Sequence, residues 1–195
     1  MKVIGAYGIN NHDGADTVDL ALADLAELGY ETETYQRGMR HTWGVYSKKK
    51  RYADALGLAA MLDNETWILA HSYGGYVSSK ALKMCTEWGT EPAGLIMLNP
   101  AMSRSYYKRA PELKETKTRI YCFHSMQDRT IWFGGKLWGH EFGMAGRKGF
   151  KGDRVNNFEI MGKHSNSFTD KMRPLRAQQY DGIIRDVWTP RVVIS

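Results

Sequence analysis

The chain has 195 residues, 43% of them hydrophobic, 12% aromatic and 25% charged, the proportions of a soluble globular protein with a real core and far from those of disordered or collagen-like chains. That length fits one domain, residues 1–195, and excludes a large multidomain machine. Twenty-seven Lys and Arg against 21 Asp and Glu leave a net charge of +6, which permits an acidic partner without requiring one.

The first apolar run, residues 3–7, predicts a strand. It is too short, and too soon broken by Gly5 and Gly8, for the core of a signal peptide, so no export signal is expected. Val18, Leu22, Leu25 and Ala26 keep helical spacing within 15–28, and Gly29 supplies a stop before the next strand at 30–35. Further strands are expected at 66–70, 93–98 and 119–123, with a weaker sixth at 158–161; helices are expected at 51–62 and 75–88. Strand and helix alternating in this way argue a mostly parallel sheet of about six strands covered on both faces.

Segments 36–50 and 132–153 break the alternation and read as long loops or small caps, leaving the sheet where α/β proteins place their binding sites. Charges or glycines interrupt every apolar run before the roughly 18 residues a membrane-spanning helix needs, so no span is expected. Two cysteines, Cys85 and Cys122, cannot build a disulfide framework and lack zinc-ligand spacing. A reduced, cytoplasmic setting with no metal and no cofactor is the expectation.

The stretch Thr66-Trp67-Ile68-Leu69-Ala70-His71-Ser72-Tyr73-Gly74-Gly75 carries the chemistry: an apolar strand ending in small-x-Ser-x-Gly and running into a helix. Such a turn exposes the serine at its apex, and the positions two before and two after it must be small because strand and helix nearly touch. Ala70 and Gly74 meet that demand. The helix then aims its N-terminal amides, Tyr73 N–H among them, toward the Ser72 hydroxyl.

On these residues the chain resembles the α/β-hydrolase family, over most of its length, with Ala70 in place of the commoner first glycine. The resemblance implies an α/β-hydrolase fold and the order nucleophile, acid, histidine. Asp128, in the turn His124-Ser125-Met126-Gln127-Asp128 after the fifth strand, matches the acid, with Asp153 the weaker rival. His164, in the loop Gly162-Lys163-His164-Ser165 after the last strand, matches the base, with His140 its competitor. His71 should point away from the nucleophile, His124 ends a strand, and His12 and His41 fall in loops.

The resemblance also implies an oxyanion hole built from Tyr73 N–H and a second amide in Tyr7-Gly8-Ile9-Asn10. Ile9 is assigned, with Gly8 and Asn10 as alternatives. Leu98-Asn99-Pro100-Ala101 is similar to a turn found in small family members, or is simply a proline ending a strand.

Substrate clues are thinner. Arg37, Arg40, Lys48, Lys49, Lys50 and Arg51 put six positive charges and no acid into 37–51, as many as the chain's net charge. This is an anion-attracting patch or a solvated face, and with no nucleic-acid module signature a nucleic-acid partner is not expected. Trp132, Phe133, Trp138, Phe142, Met144 and Phe150 lie among glycines and form either an apolar cap that shapes an acyl pocket or a small core under a loop. Gly8, Asn10, Trp132 and Phe133 are the expected substrate contacts. The reading is a serine hydrolase of a carboxylic ester or thioester, with amide hydrolysis and haloperoxidase-like chemistry left open. The alternative is an inactive protein of this fold that binds an acidic partner through its basic face.

Overall fold

The computed structural model describes residues 1–8, 17–35, 47–114, 116–132, 142–164 and 173–186. Ile9, Asn10 and Phe133, like His12, His41, His140, Arg37, Arg40 and Trp138, lie outside them. Six strands, β1 Lys2–Ala6, β2 Glu31–Tyr35, β3 Trp67–His71, β4 Gly94–Leu98, β5 Arg119–His124 and β6 Asn156–Glu159, form one sheet in the order β2-β1-β3-β4-β5-β6. Every pairing is parallel.

Burial follows position in the sheet. Strands β3 and β4 are buried at every residue, as strands covered on both faces must be, and their sequences WILAH and GLIML are accordingly apolar almost throughout. The edge strands are polar: ETETY in β2 exposes alternate residues, and NNFE in β6 is never fully buried. That polarity is why the sixth strand, sought in the apolar run 158–161, begins two residues earlier at Asn156.

Helix α1, Thr17–Glu27, buries Val18, Ala21, Leu22 and Leu25, while Ala26 faces solvent in place of its expected core position. Gly29 ends it at φ 90°, its N–H donating to Ala26 O. Helix α2, Lys48–Ala59, starts inside the segment read as loop, because the Ser47 side chain caps it by accepting from Lys50 N–H at 3.3 Å. Helix α3 spans Tyr73–Trp88 and closes on Gly89 at φ 74°. A short helix α4, Tyr106–Arg109, a 3₁₀ turn at Pro111–Leu113 and a short helix α5, Ala145–Lys148, precede the last described helix, α6, Arg173–Ile184.

Helix α6 packs on α1, tied to it by the Arg173–Asp24 ion pair at 2.6 Å. Right-handed crossovers set α1 and α6 on one face of the sheet and α2 and α3, which pack on each other, on the opposite face. Part of the expected cap belongs to the core: Phe142, Ala145 and Phe150 are buried in the same apolar cluster as β3 and β4. Residues 145–146 brace the turn after β4 through Ala145 N–H to Met102 O and Gly146 N–H to Pro100 O, both 2.9 Å.

Candidate active site

The chain steps outward from β1 to β2 and then returns across β1 to β3, so β1 and β3 flank the point where strand order reverses. At such a point the loops from two carboxyl ends diverge and leave a crevice. Ser72 follows β3 and Gly8 follows β1, one on each side of it.

Ser72 has φ 53° and ψ −117°, a left-handed backbone for a residue with a side chain. Its amide donates to Leu98 O at 3.0 Å, and its carbonyl accepts from Gly75 N–H at 3.2 Å and Ala101 N–H at 3.0 Å, so the strained turn is fixed on both sides. The approach of α3 to β1 requires Gly74: a Cβ there would lie 2.1 Å from Ala6 O. Gly8 is in a tighter than usual but less severe fit, since its Cβ would lie 3.1 Å from Ser72 Cβ.

Tyr73 is held by its ring. It stacks on Tyr76 (centroids 5.9 Å) and on Phe142 (6.2 Å), and the Arg51 guanidinium lies 5.6 Å from the Tyr76 and Phe142 rings. Burial first, and then the nearby Asp54 carboxylate, push the Tyr73 hydroxyl above its ordinary range. Asp54, buried on the inner side of α2, is itself raised to about 6, chiefly by burial, with Lys50 opposing.

Asp128 is fully buried and accepts three hydrogen bonds: His164 Nδ1–H (2.7 Å) and Asn99 Nδ2–H (2.8 Å) to Oδ2, and Ile131 N–H (2.9 Å) to Oδ1. A carboxylate offers only acceptors, so the His164 proton sits on Nδ1 and Nε2 keeps its lone pair. The His164 loop is pinned at two more points, where Ser125 Oγ donates to Gly162 O and His71 Nε2–H donates to His164 O at 3.2 Å. The His71 and His164 rings lie 4.7 Å apart at 42°.

Ser72, Asp128 and His164 therefore all leave the carboxyl edge of the sheet, and Asp128 and His164 are in direct contact. Asp153 is exposed and is not bonded to His164. Trp132 is 36% exposed, just beyond the Asp128 turn. His71, expected only to point away from Ser72, also supports the His164 loop. Sequence reading also missed Asn99 as a donor to the acid; its φ of 45° is backbone that asparagine tolerates better than most residues. Ser125 was missed as well, and a hydroxyl directly after a strand was the only signal it offered.

Other nucleophiles are muted. Cys85 and Cys122 are buried free thiols, and burial pushes Cys85 up to about 11 and Cys122 higher still. Among the described residues no group of three or more His, Cys, Asp or Glu is arranged to hold a metal ion, and no helix is long and apolar enough to cross a membrane.

No family model matches the chain, and no curated protein matches it in sequence. Solved structures match it in shape. A pyrethroid hydrolase from Sphingobium faniae JZ-2 aligns with TM-score 0.58 and 12% identity, over 95% of this chain and 97% of that one. A metagenome-derived lipolytic enzyme from the LipS and LipT pair aligns with TM-score 0.61 and 13% identity, over 95% and 93%. Mouse alpha/beta hydrolase domain-containing protein 10 gives TM-score 0.61 and 13% identity, over 96% and 90%. With six parallel strands, flanking helices and a serine at the strand-to-helix turn, this chain has the α/β-hydrolase fold.

Proposed function

We propose that the protein is a serine hydrolase acting on a carboxylic ester or thioester, with Ser72 as nucleophile, His164 as base and Asp128 as the residue that orients the base. The observation that carries this reading is the 2.7 Å bond from His164 Nδ1–H to a buried Asp128 carboxylate, on the sheet edge where Ser72 occupies a strained turn. Hydrolases among structures of the same fold support the reaction class.

In this mechanism His164 Nε2 takes the Ser72 hydroxyl proton as Oγ bonds to the carbonyl carbon, and the C=O electron pair moves onto oxygen. Tyr73 N–H and Ile9 N–H hold that oxyanion. As the carbonyl re-forms, the bond to the leaving oxygen or sulfur breaks and the His164 imidazolium protonates the departing group. Water, deprotonated by the same imidazole, then attacks the acyl-enzyme. Collapse returns the proton to Ser72 Oγ and releases the acid. Gly8, with Asn10, Trp132 and Phe133, borders the substrate in this scheme. The two buried, unbridged thiols are in keeping with a reducing, cytoplasmic setting.

The test is labelling with a fluorophosphonate probe, followed by turnover of a panel of acyl esters and thioesters of graded length. An adduct on Ser72 that disappears in Ser72→Ala supports the hydrolase. A folded protein that takes no label and turns over no ester overturns it in favour of a binding protein.

A further inference from the structure

Helix α2 buries Ala55, Leu58 and Ala59 in the core, as an amphipathic surface helix does. Beside them it buries its one carboxylate, Asp54, at 5% exposure, and on the outer face it leaves Tyr52 (62% exposed) and Leu56 (41%) in water. Ala53 shares that outer face, and Lys48 and Lys49 stand exposed at its N-terminal end. The face thus joins an apolar strip to a positive end with no acidic residue on it. Among the described residues neither lysine has an ion-pair partner.

We propose that the outer face of α2 docks the protein on an anionic lipid surface, Lys48 and Lys49 meeting the headgroups and Tyr52 and Leu56 entering the interface. Charge complementarity selects this occupant. The chain carries a net +6, the helix end is purely cationic, and a negatively charged leaflet attracts basic side chains held close to it. Tyrosine suits the boundary layer, with an apolar ring and a polar tip.

A second copy of the chain fits the face less well. Three turns of helix present roughly 200 Å², against about 800 Å² per partner in a stable dimer. A lipid surface needs no such matched area, because a few inserted side chains and charges suffice. In a parallel sheet the helix following a strand starts at the carboxyl edge, so Lys48 and Lys49 lie at the same edge as Ser72 and docking brings that edge toward the lipid.

The proposal does not rest on the hydrolase reading. Lipid partition is measured without substrate, and Ser72→Ala protein is expected to bind as the wild type does. The experiment is flotation of the full chain with vesicles of phosphatidylcholine alone or mixed with phosphatidylserine. Binding is expected only to the mixed vesicles and should weaken as salt screens the charges. Lys48→Gln with Lys49→Gln should lose about 30-fold in partition, near fivefold per lysine. Tyr52→Ser with Leu56→Gln should lose about tenfold from the apolar contribution alone.

All four side chains are exposed, so both double variants should fold as the wild type does by circular dichroism. Lys114→Gln with Lys117→Gln, which removes the same charge at the opposite sheet edge, should change binding less than about twofold. No binding to mixed vesicles at low ionic strength would overturn the proposal, as would equal loss in the two lysine pairs. Concentration-dependent self-association abolished by Leu56→Gln, without vesicle binding, would overturn it in favour of a second copy.

Discussion

Gly8 and Ser72 face each other across the point of strand reversal so closely that a Cβ on residue 8 would lie 3.1 Å from Ser72 Cβ and 3.4 Å from His71 Nδ1. The gap is tight rather than closed, so the neighbours need shift only by a few tenths of an ångström to admit a methyl group. Gly8→Ala should therefore fold with a nearly unchanged melting temperature while esterase kcat falls by about tenfold, because a displaced nucleophile loses alignment. Gly8→Val should lose more. Wild-type kcat in both variants would remove this loop from the reaction.

The bond between Asp128 and His164 predicts a larger effect. Asp128→Asn would present an amide to Nδ1 and favour the wrong tautomer, and a loss of about 10⁴ in kcat is expected with little change in KM. His164→Ala should be at least as damaging. Retention of full turnover of a p-nitrophenyl ester in His164→Ala would exclude this histidine as the base.

Asn99 combines two costs in one position, a left-handed backbone and a hydrogen bond to a buried carboxylate. Asn99→Ala removes the donor and leaves a φ of 45° to a residue that tolerates it poorly; a loss of about 2 kcal/mol in urea unfolding is expected. Asn99→Gly relieves the backbone but not the carboxylate, so it should recover only part of the stability.

How far these features were readable in the sequence depended on whether local chemistry or distant packing set them. The strand-to-helix turn at Ser72 was legible because its constraint is local: Ala70 and Gly74 are small where strand and helix touch. The central strands were legible because burial on both faces forces unbroken apolar runs. Helix α6 was not, since its buried side includes Arg176, whose guanidinium lies 6.0 Å from the Phe123 ring, and Tyr180. Those residues look solvent-facing until β5 and α1 are in place. Asn99 as a donor to the acid was hidden for a related reason, because its partner lies 29 positions away.

Asp54 gives a prediction in pH. Its ordinary value is 3.8, and burial raises it to about 6 in the folded protein. Between those values the native state binds more protons than the unfolded chain, so this group's contribution to stability is fully present below 3.8 and is lost as pH rises through about 6. Asp54→Asn removes the charge that must otherwise be buried. It should flatten the profile and raise stability above pH 6 by on the order of 2 kcal/mol, with little gain near pH 4. Urea midpoints measured across that window decide the matter; a variant destabilised equally at both ends would mean that the carboxylate makes a contact the asparagine cannot replace.

The strand ends are coupled in a staircase: Ser72 N–H donates to Leu98 O, Asn99 N–H to Phe123 O and Ile160 N–H to His124 O. The first two rungs hang on a strand made later in synthesis, and the third ties the residue after β6 back to β5. A nascent chain that has left the ribosome only as far as β4 carries Ser72 without Asp128 and His164, which follow β5 and β6. The bond between Asp128 and His164 forms only when the far edge of the sheet is laid down.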